Sequence, residues 1–133
     1  MEERRGKTHM HWADLEIWKK SHELVLKIYD ITKTFPKHEN YALIDQIRRA
    51  ITSVPANIVE GQNRNTTKEY RQFLYNARGS LEEVRYFLLL SKDLGYLDNT
   101  IFQSLEGESE RLSKMLNGLI KSLSAKLQPK DGL

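Results

Sequence analysis

Gln46-Ile47-Arg48-Arg49-Ala50-Ile51-Thr52-Ser53-Val54-Pro55-Ala56-Asn57-Ile58-Val59-Glu60-Gly61 is the stretch on which the fold turns. With Ile44 just before it, its apolar residues Ile47, Ile51, Val54 and Ile58 recur at steps of three and four, the seam of a packed helix. Pro55 stands inside that seam. A proline there removes the amide that would bond the Ile51 carbonyl, and its ring presses on the same turn, at a cost of about 3 kcal/mol in an ordinary helix. Two features offset such a cost: neighbours that need a bend at this point, or polar groups such as Ser53 and Asn57 that satisfy freed backbone carbonyls.

Working outward, Asn40 is the expected cap of this helix and Gly61 its C-terminal glycine. Upstream, Asp14 is the expected N-cap of a first helix, with Glu16 in the turn where the helix dipole favours a carboxylate. Leu15, Trp18, His22, Val25, Tyr29 and Thr32 form its seam, and a second set, Ile17, Leu24, Ile28 and Ile31, widens the stripe enough to face another subunit. Phe35-Pro36 closes this helix, because a residue before proline is pushed out of helical geometry. Downstream of the polar loop 62–65, Thr66 and Glu69 have the spacing of a capping box. Tyr70, Leu74, Ala77, Leu81, Val84 and Leu88 then mark a long third helix that ends at Gly95. Thr100 with Gln103 is a second capping-box spacing, opening a fourth helix whose seam is Leu105, Ser109, Leu112, Leu116, Leu119 and Leu123. Gly107 and Gly118 weaken that helix, so either is a candidate for close contact with a neighbour. Short loops between four such helices give an all-α, antiparallel up-down-up-down four-helix bundle over residues 13–127, with a loose arm at 1–12 and a frayed tail at 128–133.

The composition narrows the function. A chain of 133 residues fits one domain, and the absence of cysteine excludes disulfides, thiol catalysis and thiolate metal sites. No apolar run reaches the length of a membrane span, and Met1 to Lys7 lacks the apolar region of a signal peptide, so a cytoplasmic protein is expected, without membrane contact. A di-iron bundle needs Glu-x-x-His pairs, which none of the four histidines supplies. His22 on the first seam reads as a core residue, and His9 and His11 lie in the arm. Glu82-Glu83 and Glu106, Glu108 and Glu110 read as solvated faces. There is no phosphate-binding glycine loop and no Gly-x-Ser-x-Gly elbow. The expectation is a protein that is not an enzyme and takes no metal or cofactor.

The basic residues carry more. Lys68, Arg71, Arg78 and Arg85, with Arg64 just before the helix and Tyr75 between them, lie along one outer stripe of the third helix. Such a stripe can follow phosphates while the tyrosine stacks on a base. The competing reading is a solvated, salt-bridged face, since Glu82 lies four residues after Arg78 and three before Arg85. Arg48-Arg49 is a second basic spot, one of the pair being expected to lay its stem against a neighbour.

Leu15-Glu16-Ile17-Trp18-Lys19-Lys20, Phe35-Pro36, Gln46 to Ala50, Ser53-Val54-Pro55-Ala56-Asn57-Ile58-Val59-Glu60-Gly61 and Ala77-Arg78-Gly79-Ser80-Leu81-Glu82-Glu83 together resemble the bacterial four helix bundle protein family, first noticed in intervening sequences of 23S ribosomal RNA genes. The resemblance spans about residues 12–124. It implies a homopentamer around a central channel, and similarity to the accessory variability determinant proteins of diversity-generating retroelements, which associate with a reverse transcriptase and nucleic acid. No catalytic residue carries over. The matching positions are Arg48, Arg49, Ser53, Pro55, Asn57, Glu60, Gly61, Gly79, Ser80 and Glu83. On physical grounds Pro55 is expected to bend the second helix with Gly79 giving room, while Ser53, Asn57, Glu60 and Ser80 form a polar cluster between helices two and three. The net charge of +3 is modest for a nucleic-acid binder, although an oligomer multiplies it. The preferred expectation is a homo-oligomer, pentameric by resemblance, that binds RNA or DNA through Arg64, Lys68, Arg71, Tyr75, Arg78 and Arg85, with Arg48 or Arg49. The alternative is a scaffold for another protein, such as one encoded next to it.

Overall fold

In the computed structural model, which describes Arg5 and residues 11–128, the helices are α1 (Glu16–Thr32), α2 (Leu43–Gln62), α3 (Thr67–Asp93) and α4 (Asn99–Leu127). The aliphatic seams decide how they pack. Ile47, Ile51, Val54 and Ile58 of α2 are fully buried against Leu74, Ala77, Leu81, Val84 and Leu88 of α3, with Leu105, Leu112 and Leu116 of α4 completing the core. Neighbours in sequence are neighbours in space, and α4 returns to close on α1 through the lightest of the four seams. Cross-helix bonds give the directions: Arg48 of α2 meets Thr32 of α1, Ser53 of α2 meets Ser80 of α3, and Arg71 and Arg78 of α3 meet Ser124 and Asn117 of α4. Rising numbers on α3 meet falling numbers on α4, and Gly61 of α2 against Tyr70 of α3 gives the same sense to that pair, while short connections turn the chain back between helices. The bundle is antiparallel throughout.

Local chemistry sets where the helices stop. The Thr66 hydroxyl accepts from the Glu69 amide at 3.1 Å and donates to the Glu69 carboxylate at 2.9 Å, so this start is capped where the spacing placed it. At the other end of α3, Gly95 adopts φ +82°, the Tyr96 amide bonds Ser91 O and the Gly95 amide bonds Lys92 O. That pair of bonds satisfies carbonyls which the last turn leaves open.

The other starts differ from expectation. Asp14 belongs to a 3₁₀ turn, Trp12–Asp14, and Leu15 is the N-cap of α1. Asn40 ends a second 3₁₀ turn, Lys37–Glu39, and α2 begins after Ala42. Asp98 rather than Thr100 caps α4, accepting from the Ile101 amide at 2.8 Å. In each case a carboxyl or amide side chain near the expected boundary was taken up by a tighter turn or by a helix start slightly removed from it.

The seam of α1 is also rotated from the expected one. Ile17, Ser21, Leu24, Val25, Ile28 and Thr32 face the core, whereas His22 and Tyr29 are exposed and Trp18 is half-buried. Trp18 stacks on His22 at 5.0 Å and meets Trp12 at 4.8 Å, so the aromatic members form an outer cluster of their own. Apart from Arg5, His11, Trp12 and Gln128, the expected arm and tail lie outside the described residues, as does His9.

Candidate nucleic-acid interface

Every arginine that the stripe places on α3 reaches across to α4. Arg71 Nη1 donates to Ser124 Oγ at 3.2 Å, Arg78 Nη1 to Asn117 Oδ1 at 3.0 Å, and Arg85 to Glu106 Oε1 at 2.6 and 3.0 Å. The first two partners are neutral. Among the described residues no carboxylate pairs with Arg71 or Arg78. Tyr75 lies between them, with the two guanidinium carbons 5.8 and 5.0 Å from its ring centre. At 1.5 Å per residue their Cα atoms stand about 10.5 Å apart along the helix.

Arg85 is in a different state. Glu82 Oε1 lies 3.1 Å from its Nη1, so two acids flank one cation. The hydrogen bond to Glu106 chiefly holds its pKa above the ordinary arginine value. Its charge is spent inside the molecule, and it stands apart from the Arg71–Tyr75–Arg78 group. At the start of the stripe Arg64 pairs with Glu60 at 3.2 Å and lies over the Phe73 ring, while exposed Lys68 occupies the first turn of α3. The salt-bridged reading therefore holds for Arg64 and Arg85, and the uncompensated one for Arg71 and Arg78.

The second basic spot lies on α2. Arg48 donates to Thr32 Oγ1 at 2.9 Å and to Tyr29 O at 3.2 Å, with its guanidinium 4.5 Å above the Tyr29 ring. It pins the end of α1, the role expected for one member of the pair. Arg49 is exposed and pairs with Asp45 at 3.1 Å.

The polar cluster between α2 and α3 forms without Glu60. Ser53 Oγ and Ser80 Oγ are 2.9 Å apart, and Asn57 Nδ2 donates to Ser53 Oγ at 3.0 Å and to Ser53 O at 2.8 Å. Asn57 thus satisfies a carbonyl near Pro55, though that of Ser53 instead of Ile51. Thr52 bonds Arg48 O at 2.8 Å on the other side, and α2 runs unbroken through the buried proline. Glu60 points away, to Arg64. Gly79 is not where room is needed: a Cβ there would meet nothing within 4 Å. The crowded glycine is Gly61, which lies inside α2 and not at its C-cap, with a Cβ position 2.8 Å from Tyr70 Cδ1. Gly118 is likewise open, and Gly107 meets only the Arg111 side chain at 3.5 Å, so neither marks a close contact within the chain.

Two features of this end of the bundle escaped the sequence reading. Lys121 is exposed on α4 between Asn117 and Ser124, at the spacing of one helix face, beside the partners of Arg78 and Arg71. Arg5 is anchored: its guanidinium donates to the carbonyls of Gly61 (3.1 Å), Gln62 and Arg64 (3.3 Å) and lies 4.4 Å above the Tyr70 ring. Burial lowers the pKa of Arg5 and raises that of Tyr70. The signal for Lys121 was its i+4 and i−3 spacing; for Arg5 no sequence pattern exists.

The long-range charge distribution follows from the antiparallel hairpin of α3 and α4. Residues 79–110 carry seven acidic and two basic side chains, whereas residues 111–127 carry four basic and no acidic ones. Because residues 111–127 lie beside the first half of α3, which holds Lys68, Arg71 and Arg78, positive charge gathers at one end of this face and negative charge at the other.

Among protein families, that of the 23S rRNA-intervening sequence protein matches residues 13–118. No curated protein matches the chain. Among solved structures, a protein with unknown function from the S23 ribosomal protein family of Bacteroides thetaiotaomicron is similar, with 25% identity and a TM-score of 0.74, over 79% of this chain and 98% of that one. No helix among the described residues is long and apolar enough to cross a membrane.

Proposed function

The chain belongs to the 23S rRNA-intervening sequence protein family, and from that premise we propose that it is a non-enzymatic, self-associating bundle that holds RNA or DNA on the basic half of its α3/α4 face. The observation that carries this reading is the Arg71–Tyr75–Arg78 group, two cations without an acidic partner on either side of an aromatic ring. Phosphates attract such cations by releasing counterions, and a phosphate that draws a guanidinium off Tyr75 leaves that ring open to stack on a base. Lys121 extends the same surface across α4, with Lys68 leading into it, while Arg64 is matched by Glu60. Arg85 and Arg49 fall outside the proposed surface because carboxylates match their charges, and Arg48 because it packs on α1 instead of α4.

A fluorescence titration of structured RNA at about 50 and about 200 mM salt tests this. Three phosphates neutralised by Arg71, Arg78 and Lys121 predict an affinity lower by about 40-fold at the higher salt. Binding that ignores salt, or none at micromolar protein, overturns the reading.

Self-association would place several such faces on one particle, five being the number implied by the family resemblance. The exposed Leu26 and Tyr29 of α1 supply an apolar surface for it. Light scattering at native salt is expected to read five times 15.6 kDa; a single-copy mass removes this part of the proposal.

A further inference from the structure

The acidic half of the α3/α4 face is built differently from the basic half. Glu82, Arg85, Tyr86 and Leu89 of α3 and Phe102 and Glu106 of α4 line a groove of about 440 Å³. Tyr86 is 58% exposed and Leu89 41%, and Ile101 and Leu94 leave further apolar surface nearby. Exposed large apolar side chains gathered in a groove mark an interaction surface.

The groove's own cations show what chemistry it accepts. Arg85 is held between Glu82 and Glu106, and Lys92 Nζ lies 4.7 Å from the centre of the Phe102 ring. Cations also sit over the rings of Tyr29, Tyr70, Phe73 and Tyr75. Tyr86, more exposed than any of these, has Phe87 as its ring neighbour and no cation over its face among the described residues. Its ring face, the leucine beside it and a lining of two carboxylates against one guanidinium, a net charge of −1, are an unfilled version of the same arrangement.

From this geometry we infer that the groove docks a basic amphipathic helix of another protein, leucines against Tyr86 and Leu89 and lysines or arginines against Tyr86, Glu82 and Glu106. Helix-in-groove recognition uses such apolar anchors, and the acidic rim selects the charge. A nucleic acid is repelled here by the same rim. A second copy fits less well, because beside its own exposed Leu26 and Tyr29 Lys27 is engaged at Glu108 and Arg48 at Thr32 and Tyr29, which leaves Lys33 alone to meet the acidic rim. The inference does not depend on the nucleic-acid reading, since the two surfaces share no residue.

The test uses the full chain and a labelled leucine–lysine amphipathic peptide, with a leucine–glutamate peptide of the same pattern as control. The lysine peptide is expected to bind and the glutamate peptide not. The double variant Tyr86→Ala/Leu89→Ser, which removes only exposed side chains, is expected to weaken lysine-peptide binding by about tenfold or more while RNA binding stays unchanged. Equal binding of the two peptides, or binding indifferent to the double variant, overturns the proposal. A fall in particle mass in that variant without loss of peptide binding assigns the groove to a second copy and overturns it as well.

Discussion

Gly61→Val is expected to lower the unfolding free energy by about 3 kcal/mol, at the upper end of what overpacking costs, with a fall in Tm of about 10 °C. A Cβ at this position lies 2.8 Å from Tyr70 Cδ1, 2.9 Å from Phe73 Cβ and 3.2 Å from Tyr70 O. Two of those atoms belong to the α3 backbone or its first side-chain carbon and cannot swing aside. The Tyr70 ring is held as well, being 4% exposed beneath the Arg5 guanidinium. Helices α2 and α3 must therefore separate where they cross, and the Arg5 bonds to Gly61 and Gln62 are strained with them. Gly79→Ala should have the opposite sign, because its Cβ enters open space in mid-helix and alanine gains up to about 1 kcal/mol over glycine there. Urea denaturation of both variants measures the difference directly. Equal shifts in the two would show that helix propensity, and not the close approach of α2 to α3, governs Gly61.

The contrast between these glycines shows what the sequence makes legible. A glycine at the end of an apolar seam looks the same whether it ends the helix or admits a neighbouring backbone, and only the packed neighbour distinguishes the two. The seams of α2 and α3, and that of α4 except that Ile120 is buried where Leu119 was expected, were readable because aliphatic residues at steps of three and four have one sensible side. On α1 the amphipathic residues Trp18, His22 and Tyr29 gave a second stripe of equal regularity, and burial chose the aliphatic one. The Thr66 cap was readable because its partner is three residues away, whereas Asp14 and Asn40 were drawn into 3₁₀ turns that leave little periodic trace. The candidate surface was half readable for a similar reason. Spacing along α3 found Arg71, Tyr75, Arg78 and Arg85, but the state of each arginine depends on Ser124, Asn117 and Glu106 of α4, which no pattern within one helix can reveal.

Replacing both Arg71 and Arg78 by glutamine is expected to reduce the salt dependence of RNA binding by about two phosphate equivalents and to weaken binding by about tenfold or more near 0.1 M salt. Glutamine keeps a donor within the chemistry of Ser124 and Asn117 but removes the charge, so the bundle retains its α3/α4 seam while the phosphate contacts are lost. Arg85→Gln is the decisive comparison. Its charge is matched by Glu82 and Glu106, so its loss should leave the salt slope unchanged and lower stability by exposing two carboxylates to each other. Tyr75→Ala separates the remaining contribution: stacking is available to unpaired bases and not to a duplex, so single-stranded binding should fall by about 1–3 kcal/mol while duplex binding changes little. If Arg85→Gln flattens the slope as much as the Arg71/Arg78 pair does, the effect belongs to the particle's overall charge, and the surface around Tyr75 loses its claim to be the place where nucleic acid is held.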